Sequence, residues 1–407
     1  MTEELLREGA ACYGTPAYIF DVDELRVQAE RFRKYFGEET GLCFAMKANP
    51  FLTEQISEIA DRIEVCSFGE FEICRKLGIP KERLLISGVL KQKAELLTIL
   101  EYCRGKSIYT VESVQQFHIL AAWCEANNEV LHVLLRLTSG NQFGMDETTV
   151  RNLICVSDMC PFLKIDGIHY FSGTQKRSPA QLKKELAYLK EFIKVLSKEE
   201  CYEIRELEYG PGLWVPYFSE EGEALQEELL QVLSQEIKDL QDSFHITLEL
   251  GRAFTAFGGY YLTAVGDVKR NNDKNYGIVD GGMHQLHYDG QIRGVYNPKI
   301  RVISKENAAQ ECEYTICGSL CSVNDVLCQK IRLKRLEPGD ILVFEGAGAY
   351  SVTEGMALFL SHSLPGIALY SKTMGWLKVR DEQPTYLWNM AKEVEENGHI
   401  TGDFKGN

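Results

Sequence analysis

The stretch FAMKANP, Phe44 to Pro50, sets a lysine at the end of what reads as a buried strand, and lysine is almost never buried without a partner. Other segments of the same kind end on groups that can do chemistry. EVCS supplies Glu64 and Ser67, VLHVLLRL supplies Arg136, and the end of LKIDGIHY with the residues after it supplies His169 through Thr174. EYGPG brings the glycines 210 and 212, and ELGR brings Glu249, Gly251 and Arg252. A lysine among apolar neighbours gives up its proton cheaply and becomes a carbonyl-attacking amine. A glycine turn with open N–H groups beside an arginine suits a phosphate. Each feature has a plainer reading, since a lone strand-end lysine is a solvated charge and a Gly-x-Gly turn is a turn; the combination is what points to a site.

Such groups must converge, and the order of elements says how. From about residue 22 to 250, short β-rich runs alternate with segments of helical period: GLCFAM, EVCS, RLLIS, SIYTV, VLHVLLRL, LKIDGIHY, IRELEY and HITLEL. Between them lie helices such as 112–127, with Val114, Phe117, Leu120 and Ala121 on one face, and 178–196, with Leu182, Leu186 and Leu189. Strand-helix alternation of this length predicts an α/β fold, a (β/α)8 TIM-like barrel, whose chemistry gathers at the C-terminal ends of the strands. After about residue 255 come strands without long helices, GGYYLTAVGDV, YGIVD, KIRVIS, CEYTICG, DILVFE and GIALYS. The expected domains are a barrel over 22–255 and a β domain from 1–21 and 256–407, with YIFDV at 18–22 as a strand that could join the latter and GDFKGN as a loose tail.

Composition narrows the function classes. The 407 residues carry 44 basic and 59 acidic side chains, a net charge of −15, with no basic run interleaved with aromatics, so nucleic acid is a poor partner. The charged MTEELLREGA start and the lack of a long apolar run predict a soluble, cytoplasmic protein with no membrane span. Thirteen cysteines are scattered without a CxxC pair; most are expected to be reduced core thiols, and no metal is expected. Lysine, phosphate cradle and a carboxylate able to keep a pyridine nitrogen protonated together suggest pyridoxal 5'-phosphate.

The motifs FAMKANP, GIHYFSGTQ, EYGPGLWVPY, ELGRA, VDGGMH, CGSLCSVNDVL and GAGAY occur in that order from about Thr15 to residue 380. In this the chain resembles the fold-type III pyridoxal-phosphate decarboxylases, the alanine racemase-like barrel family that includes diaminopimelate, ornithine and arginine decarboxylases. The resemblance implies Lys47 as the Schiff-base lysine. It implies Thr174, Gly210, Gly212, Arg252 and Tyr350 around the phosphate, Glu249 facing the pyridine nitrogen, and Glu64, Arg136, Phe171 and Gly251 in the cofactor site. Cys321 matches the cysteine of a Cys-Glu-Ser-x-Asp motif that protonates the decarboxylated carbon in the partner subunit, and Asp325 its substrate-contacting aspartate. A homodimer with shared active sites is therefore expected.

Departures from the family pattern carry their own expectations. Phe171 stands where a histidine usually stacks on the ring, Pro211 removes one N–H from the glycine turn, and EPGR is here ELGR. Ser322 replaces the glutamate that helps hold a distal amino group in diaminopimelate decarboxylases, which argues against that substrate. QFGMDE at 142–147, the TQ of SGTQ, VPYFS at 215–219 and DGGMH resemble a branch typified by the butirosin-pathway decarboxylase, which acts on a glutamyl group held by an acyl-carrier protein. Such a partner is acidic and would need a basic patch, for which KQKAELL and KEFIKVLSK are candidates. The expected activity is decarboxylation of an α-amino acid, free or carrier-bound; an amino-acid racemase on the same fold is the alternative. His284, His287 and Arg293 form a loop that could add substrate contacts.

Overall fold

The computed structural model describes residues 1–218, 222, 224–241, 243–304 and 310–391. Its elements begin with helix α1 (Glu3–Tyr13) and strand β1 (Ala17–Asp21), followed by α2 (Val22–Phe36). Then come β2 (Gly41–Ala45), α3 (Thr53–Ser57), β3 (Arg62–Val65), α4 (Phe68–Leu77), β4 (Leu84–Ile86), α5 (Lys93–Cys103), β5 (Ile108–Val111) and α6 (Val114–Asn127). The alternation continues through β6 (Leu131–Leu137), α7 (Glu147–Val156), β7 (Leu163–Phe171), α8 (Pro179–Glu199), β8 (Glu206–Gly210), α9 (Ala224–Gln241), β9 (His245–Leu250) and the short α10 (Arg252–Thr255). Strands β2 to β9 pair in parallel, each with the next, and β9 returns to β2, which closes the barrel. All eight runs read as barrel strands in the sequence are present, the seventh included.

Each strand is walled by helices, so both its faces are covered and it reads as a near-continuous apolar run rather than an alternating one; every residue of β2 and β8 is buried. The helices start where the chain supplies a cap. Ser113 accepts from the Gln116 N–H at 3.2 Å and starts α6; Ser178 does the same for Gln181 at 3.3 Å, with Pro179 in the first turn of α8. Ser67, singled out above for chemistry, is such a cap, accepting from Glu70 N–H at 3.2 Å to begin α4.

One compact unit comprises Val22–Pro216 and Glu221–Phe257; the other comprises Met1–Asp21, Tyr217–Glu220 and the chain from Gly258 onward. The second unit adds β10 (Gly259–Asn271), β11 (Lys274–Val279), β12 (Ile300–Ile303), β13 (Glu311–Cys317), β14 (Val326–Lys334), β15 (Ile341–Glu345), β16 (Gly366–Ser371) and β17 (Gly375–Arg380). Its sheet runs β14-β13-β11-β10-β1-β16-β17, with β15 joining β10 and β12. β1, the YIFDV run, pairs antiparallel with β10 and parallel with β16. Helix α1 lays Leu6 and Ala10 on Ile19, Tyr260 and Leu262; Gly9 permits that approach, because a Cβ there would lie 2.5 Å from Ile19 Cδ1. The sequence pattern carries no clear signal for α1, β14 and β17. The last two alternate charged and apolar residues or lie at a sheet edge, which dilutes the strand signal.

All thirteen cysteines are unbridged, but only Cys43, Cys74, Cys103, Cys124 and Cys328 are fully buried, so the expectation of core thiols fails for the majority. Among the described residues no helix is long and apolar enough to cross a membrane. The expected tail GDFKGN lies outside the described residues.

Inside the barrel, Cys43 of β2, Leu85 of β4 and Leu134 of β6 form one buried cluster, the layering of alternate strands expected of this architecture. Next to it lies a polar group of the same unit. Arg62 Nη1 donates to Glu208 Oε2 at 3.0 Å and Nη2 to Glu206 Oε2 at 3.0 Å, while Thr247 Oγ1 donates to Glu206 Oε1 at 2.7 Å. Burial outweighs Arg62 and, with the neighbouring Glu206, pushes the Glu208 carboxyl up to about 8. An acid whose folded value is raised binds its proton in the native state after the unfolded chain has lost it. Its stabilisation is therefore present below the ordinary carboxyl range and is lost as pH rises toward about 8, by up to about 1.4 kcal/mol per unit. Denaturant unfolding at a series of pH values should show Glu208→Gln losing less stability than the parent across that window; equal slopes would remove Glu208 as the group responsible.

Candidate active site

Strand register decides which side chains meet at the barrel mouth. Ala45 of β2 lies opposite Glu64 of β3, and Cys43 opposite Glu249 of β9, so both carboxylates flank the end of β2. There the chain makes a 3₁₀ turn, Met46–Ala48, closed by Asn49 N–H to Met46 O at 3.0 Å, and Pro50 starts the next turn. Lys47 projects from this turn. Its Nζ lies 2.7 Å from Glu64 Oε2, 3.4 Å from Glu249 Oε1 and 3.6 Å from Cys66 Sγ. The anomaly in FAMKANP is thus resolved by two carboxylates that sequence places 17 and 202 residues away.

The electrostatics follow from burial. Glu64 is 1% and Glu249 8% exposed. Burial works against ionising Glu249, but the Lys47 ammonium and the hydrogen bond from His169 outweigh it and hold the carboxyl well below the ordinary range. His169 of β7 is fully buried, with Nε2 2.9 Å from Glu249 Oε2. The same burial, reinforced by Glu64, pushes the Cys66 thiol up. Glu64, His169 and Glu249 bring one ligand atom each within 4.8 Å of one another, a spacing open to a cation; the Lys47 ammonium takes that electrostatic role.

Arg136 lies deeper among paired groups. Its Nη1 donates to Glu112 Oε1 at 3.0 Å and its guanidinium lies 4.7 Å from the Phe143 ring centroid. Glu112, at the end of β5, was not singled out in the sequence. The second oxygen of Glu112, Arg136 Nε and His169 Nδ1 are buried with no partner among the described residues. A barrel that leaves such atoms open has polar capacity to spare for a bound group.

Two loops form a cradle. Phe171 ends β7 opposite Gly210, which ends β8, and a Cβ at Gly210 would lie 2.6 Å from Phe171 Cδ2. Gly212 has φ +58, and a Cβ there would come within 1.9 Å of Gly173 O, so only glycine fits this turn. The loops are joined by Lys176 N–H donating to Gly212 O at 3.0 Å. Gln175 exchanges hydrogen bonds with the Val215 backbone, accepting at 2.7 Å and donating at 3.3 Å. Thr174 Oγ1 accepts from Arg252 Nε at 3.3 Å. Gly251 precedes Arg252 with ordinary negative φ, as the residue before α10. A hydroxyl, a buried arginine and a glycine cradle are a donor set that fits a phosphate, and Lys47 beside an ionised Glu249 fits an aldehyde-bearing pyridine.

The remaining expected residues belong to the second unit. Cys321 is exposed on the turn between β13 and β14, followed by Ser322, whose hydroxyl accepts from Asn324 N–H at 3.2 Å, and by Val323, 89% exposed. Asp325, expected to contact substrate, is buried, with Oδ1 accepting from Met283 N–H and Oδ2 from Leu320 N–H, both at 2.8 Å. In this chain it fastens the DGGMH loop to the residue before Cys321. Tyr350 follows β15 in a left-handed conformation, φ 65. His284 is buried, neither ring nitrogen has a partner among the described residues, and burial followed by His362, 5.0 Å away, lowers it to about 4. His287 is surface-facing near Glu354 at 3.8 Å, and Arg293 takes a left-handed turn.

Comparison with known proteins gives these residues a setting. The model of the family described as pyridoxal-dependent decarboxylase, C-terminal sheet domain, matches residues 108–348. An L-glutamyl-[BtrI acyl-carrier protein] decarboxylase of Niallia circulans is 26% identical over 381 residues, 87% of this chain and 88% of that protein. A diaminopimelate decarboxylase of Aquifex aeolicus is 26% identical over 85% of this chain and 84% of its own. The crystal structure of diaminopimelate decarboxylase from M. jannaschii superposes with a TM-score of 0.83 at 22% identity, over 96% of this chain and 95% of that one, a likeness of fold.

Removing the cation should expose the cost of the two carboxylates. Lys47→Ala is expected to lower stability at neutral pH by about 1–3 kcal/mol, the penalty of an unmatched buried charge. Acidification should shrink that deficit, because the carboxylates then take up protons. Thermal or denaturant unfolding of apoprotein at several pH values reads this; a deficit independent of pH would mean that lost packing, not charge, is responsible.

Proposed function

As a member of the pyridoxal-dependent decarboxylase family, this chain is a pyridoxal-phosphate-dependent carboxy-lyase, and we propose that it decarboxylates an α-amino acid other than diaminopimelate, with Lys47 as the lysine that condenses with the cofactor aldehyde. The observation that carries this reading is the Lys47 amine at the barrel mouth between Glu64 and Glu249. When bound, pyridoxal phosphate offers an aldehyde to amines and a protonated ring that takes up electron density from Cα. Glu249 would face the ring nitrogen; it is ionised, and His169 fixes its other oxygen, which supports that role. Thr174, Gly210, Gly212, Arg252 and Tyr350 would hold the phosphate, and Phe171 offers an apolar face to the ring.

In the reaction the bond from Cα to the carboxylate breaks, carbon dioxide leaves, and Cα needs a proton in its place. Cys321 of the partner subunit is proposed to supply it, within a homodimer whose two sites are shared. Asp325 acts on this step by fixing the loop that carries Cys321. Ser322, where an acid would hold a distal amino group, supports a substrate other than diaminopimelate. The Niallia relative's carrier-bound glutamyl group supports, as a second reading, an aminoacyl group presented on an acyl-carrier protein.

A carbon dioxide release screen over free L- and D-amino acids, then over carrier-bound aminoacyl groups, is the direct test. Exchange of solvent deuterium into recovered substrate with no gas released would make the enzyme a racemase and overturn the decarboxylase proposal. Lys47→Ala should abolish both turnover and the visible absorbance of bound cofactor. Cys321→Ala should slow turnover by about 10²–10⁴-fold, the range of a positioned proton donor, and unchanged turnover would remove it from that role.

A further inference from the structure

The two cradle loops share an anchor that the proposed mechanism does not use. Glu185 lies on α8, away from the strand ends, yet its carboxylate reaches both loops. Oε1 accepts from Ser172 Oγ at 2.7 Å and from Gln181 Nε2 at 3.1 Å; Oε2 accepts from Lys176 Nζ at 2.6 Å and Tyr209 OH at 2.9 Å. Each oxygen thus has two donors. Ser172 and Lys176 bracket Gly173-Thr174-Gln175, and Tyr209 immediately precedes Gly210. Lys176 is 3% exposed at its side chain and Glu185 11%, so water competes little for either charge. Lys176 also donates its backbone N–H to Gly212 O, which makes it a tie between the loops as well as a partner of Glu185.

The segments so held have unusual backbones, Gly173 at φ +143, Gln175 at +52 and Gly212 at +58. The two glycines adopt them freely, but in a non-glycine such as Gln175 a left-handed backbone persists only where the surroundings over-determine it. A cradle that binds through N–H groups depends on the direction of each peptide plane, and those planes have no regular ladder to fix them. We propose that Glu185 and Lys176 are a positioning pair that sets the backbone of the 173–175 and 210–212 turns for binding a phosphate monoester. This rests on the reading of that cradle as the cofactor's phosphate site.

The test separates phosphate from the rest of the cofactor. Purified enzyme is stripped of cofactor with a carbonyl reagent and titrated back with pyridoxal phosphate or with pyridoxal, which lacks the phosphate, following absorbance. Glu185→Ala should weaken pyridoxal phosphate by about tenfold or more, the scale on which groups one layer behind a bound ion act, while pyridoxal affinity stays within about twofold, a shift under 1 kcal/mol. Lys176→Arg, which keeps a cation for Glu185, should retain most of the phosphate preference. Equal weakening of both ligands would show a general structural role and overturn the proposal, as would no weakening of either. Should the parent enzyme itself show no preference for pyridoxal phosphate over pyridoxal, the phosphate reading of the cradle fails at its root, a result distinguishable from failure of Glu185 alone.

Discussion

A lysine ammonium set between two carboxylates that are almost sealed from water is the constraint on which the barrel mouth depends. Taking the two carboxylates out of water is costly, and the structure offsets that cost with the cation of Lys47 and with His169 on the far oxygen of Glu249. None of these contacts is local in sequence. They exist because parallel pairing puts Ala45 opposite Glu64 and Cys43 opposite Glu249; a one-residue slip of β2 would turn its side chains to the other face of the sheet. The register of three strands is therefore also the electrostatic design of the site.

The barrel treats its charged groups in two ways. Near the Cys43 layer, Arg62 is shared by Glu206 and Glu208, and Glu208 answers burial by keeping its proton. At the mouth, Glu249 answers it by staying ionised under Lys47. Both carboxylates sit in the same unit among similar strands; their states differ because Glu249 has a hydrogen bond from His169 as well as the Lys47 ammonium, whereas Glu208 has burial and the neighbouring Glu206 set against Arg62.

Much of the fold was legible because parallel strands covered on both faces are written as short runs of apolar and β-branched residues between longer periodic helices. Lys47, Glu249 and Arg252 were legible as polar groups ending such runs. Glu185 was not, since on α8 it is one more glutamate in a helix rich in lysine and glutamate, and only the close approach of β7, β8 and α8 marks it. Ser67 misled in the opposite direction: a hydroxyl just past a strand can serve a substrate or a helix, and here it starts α4. The helix α1 and the strands β14 and β17 escaped notice because short amphipathic or edge segments take their shape from the sheet they join.

The carboxylate of Asp325 is packed so closely that a Cβ at Gly282 would lie 2.7 Å, and one at Gly318 2.3 Å, from its Oδ2. These two glycines and the aspartate form a rivet, whereas Val323 and Asn324 beside it face outward. The loop thus separates a frame that cannot change from passengers that can. A lineage can exchange residues 323 and 324, and with them whatever those side chains touch, without renegotiating how the chain folds, while a methyl group added at 282 or 318 would close that route at once.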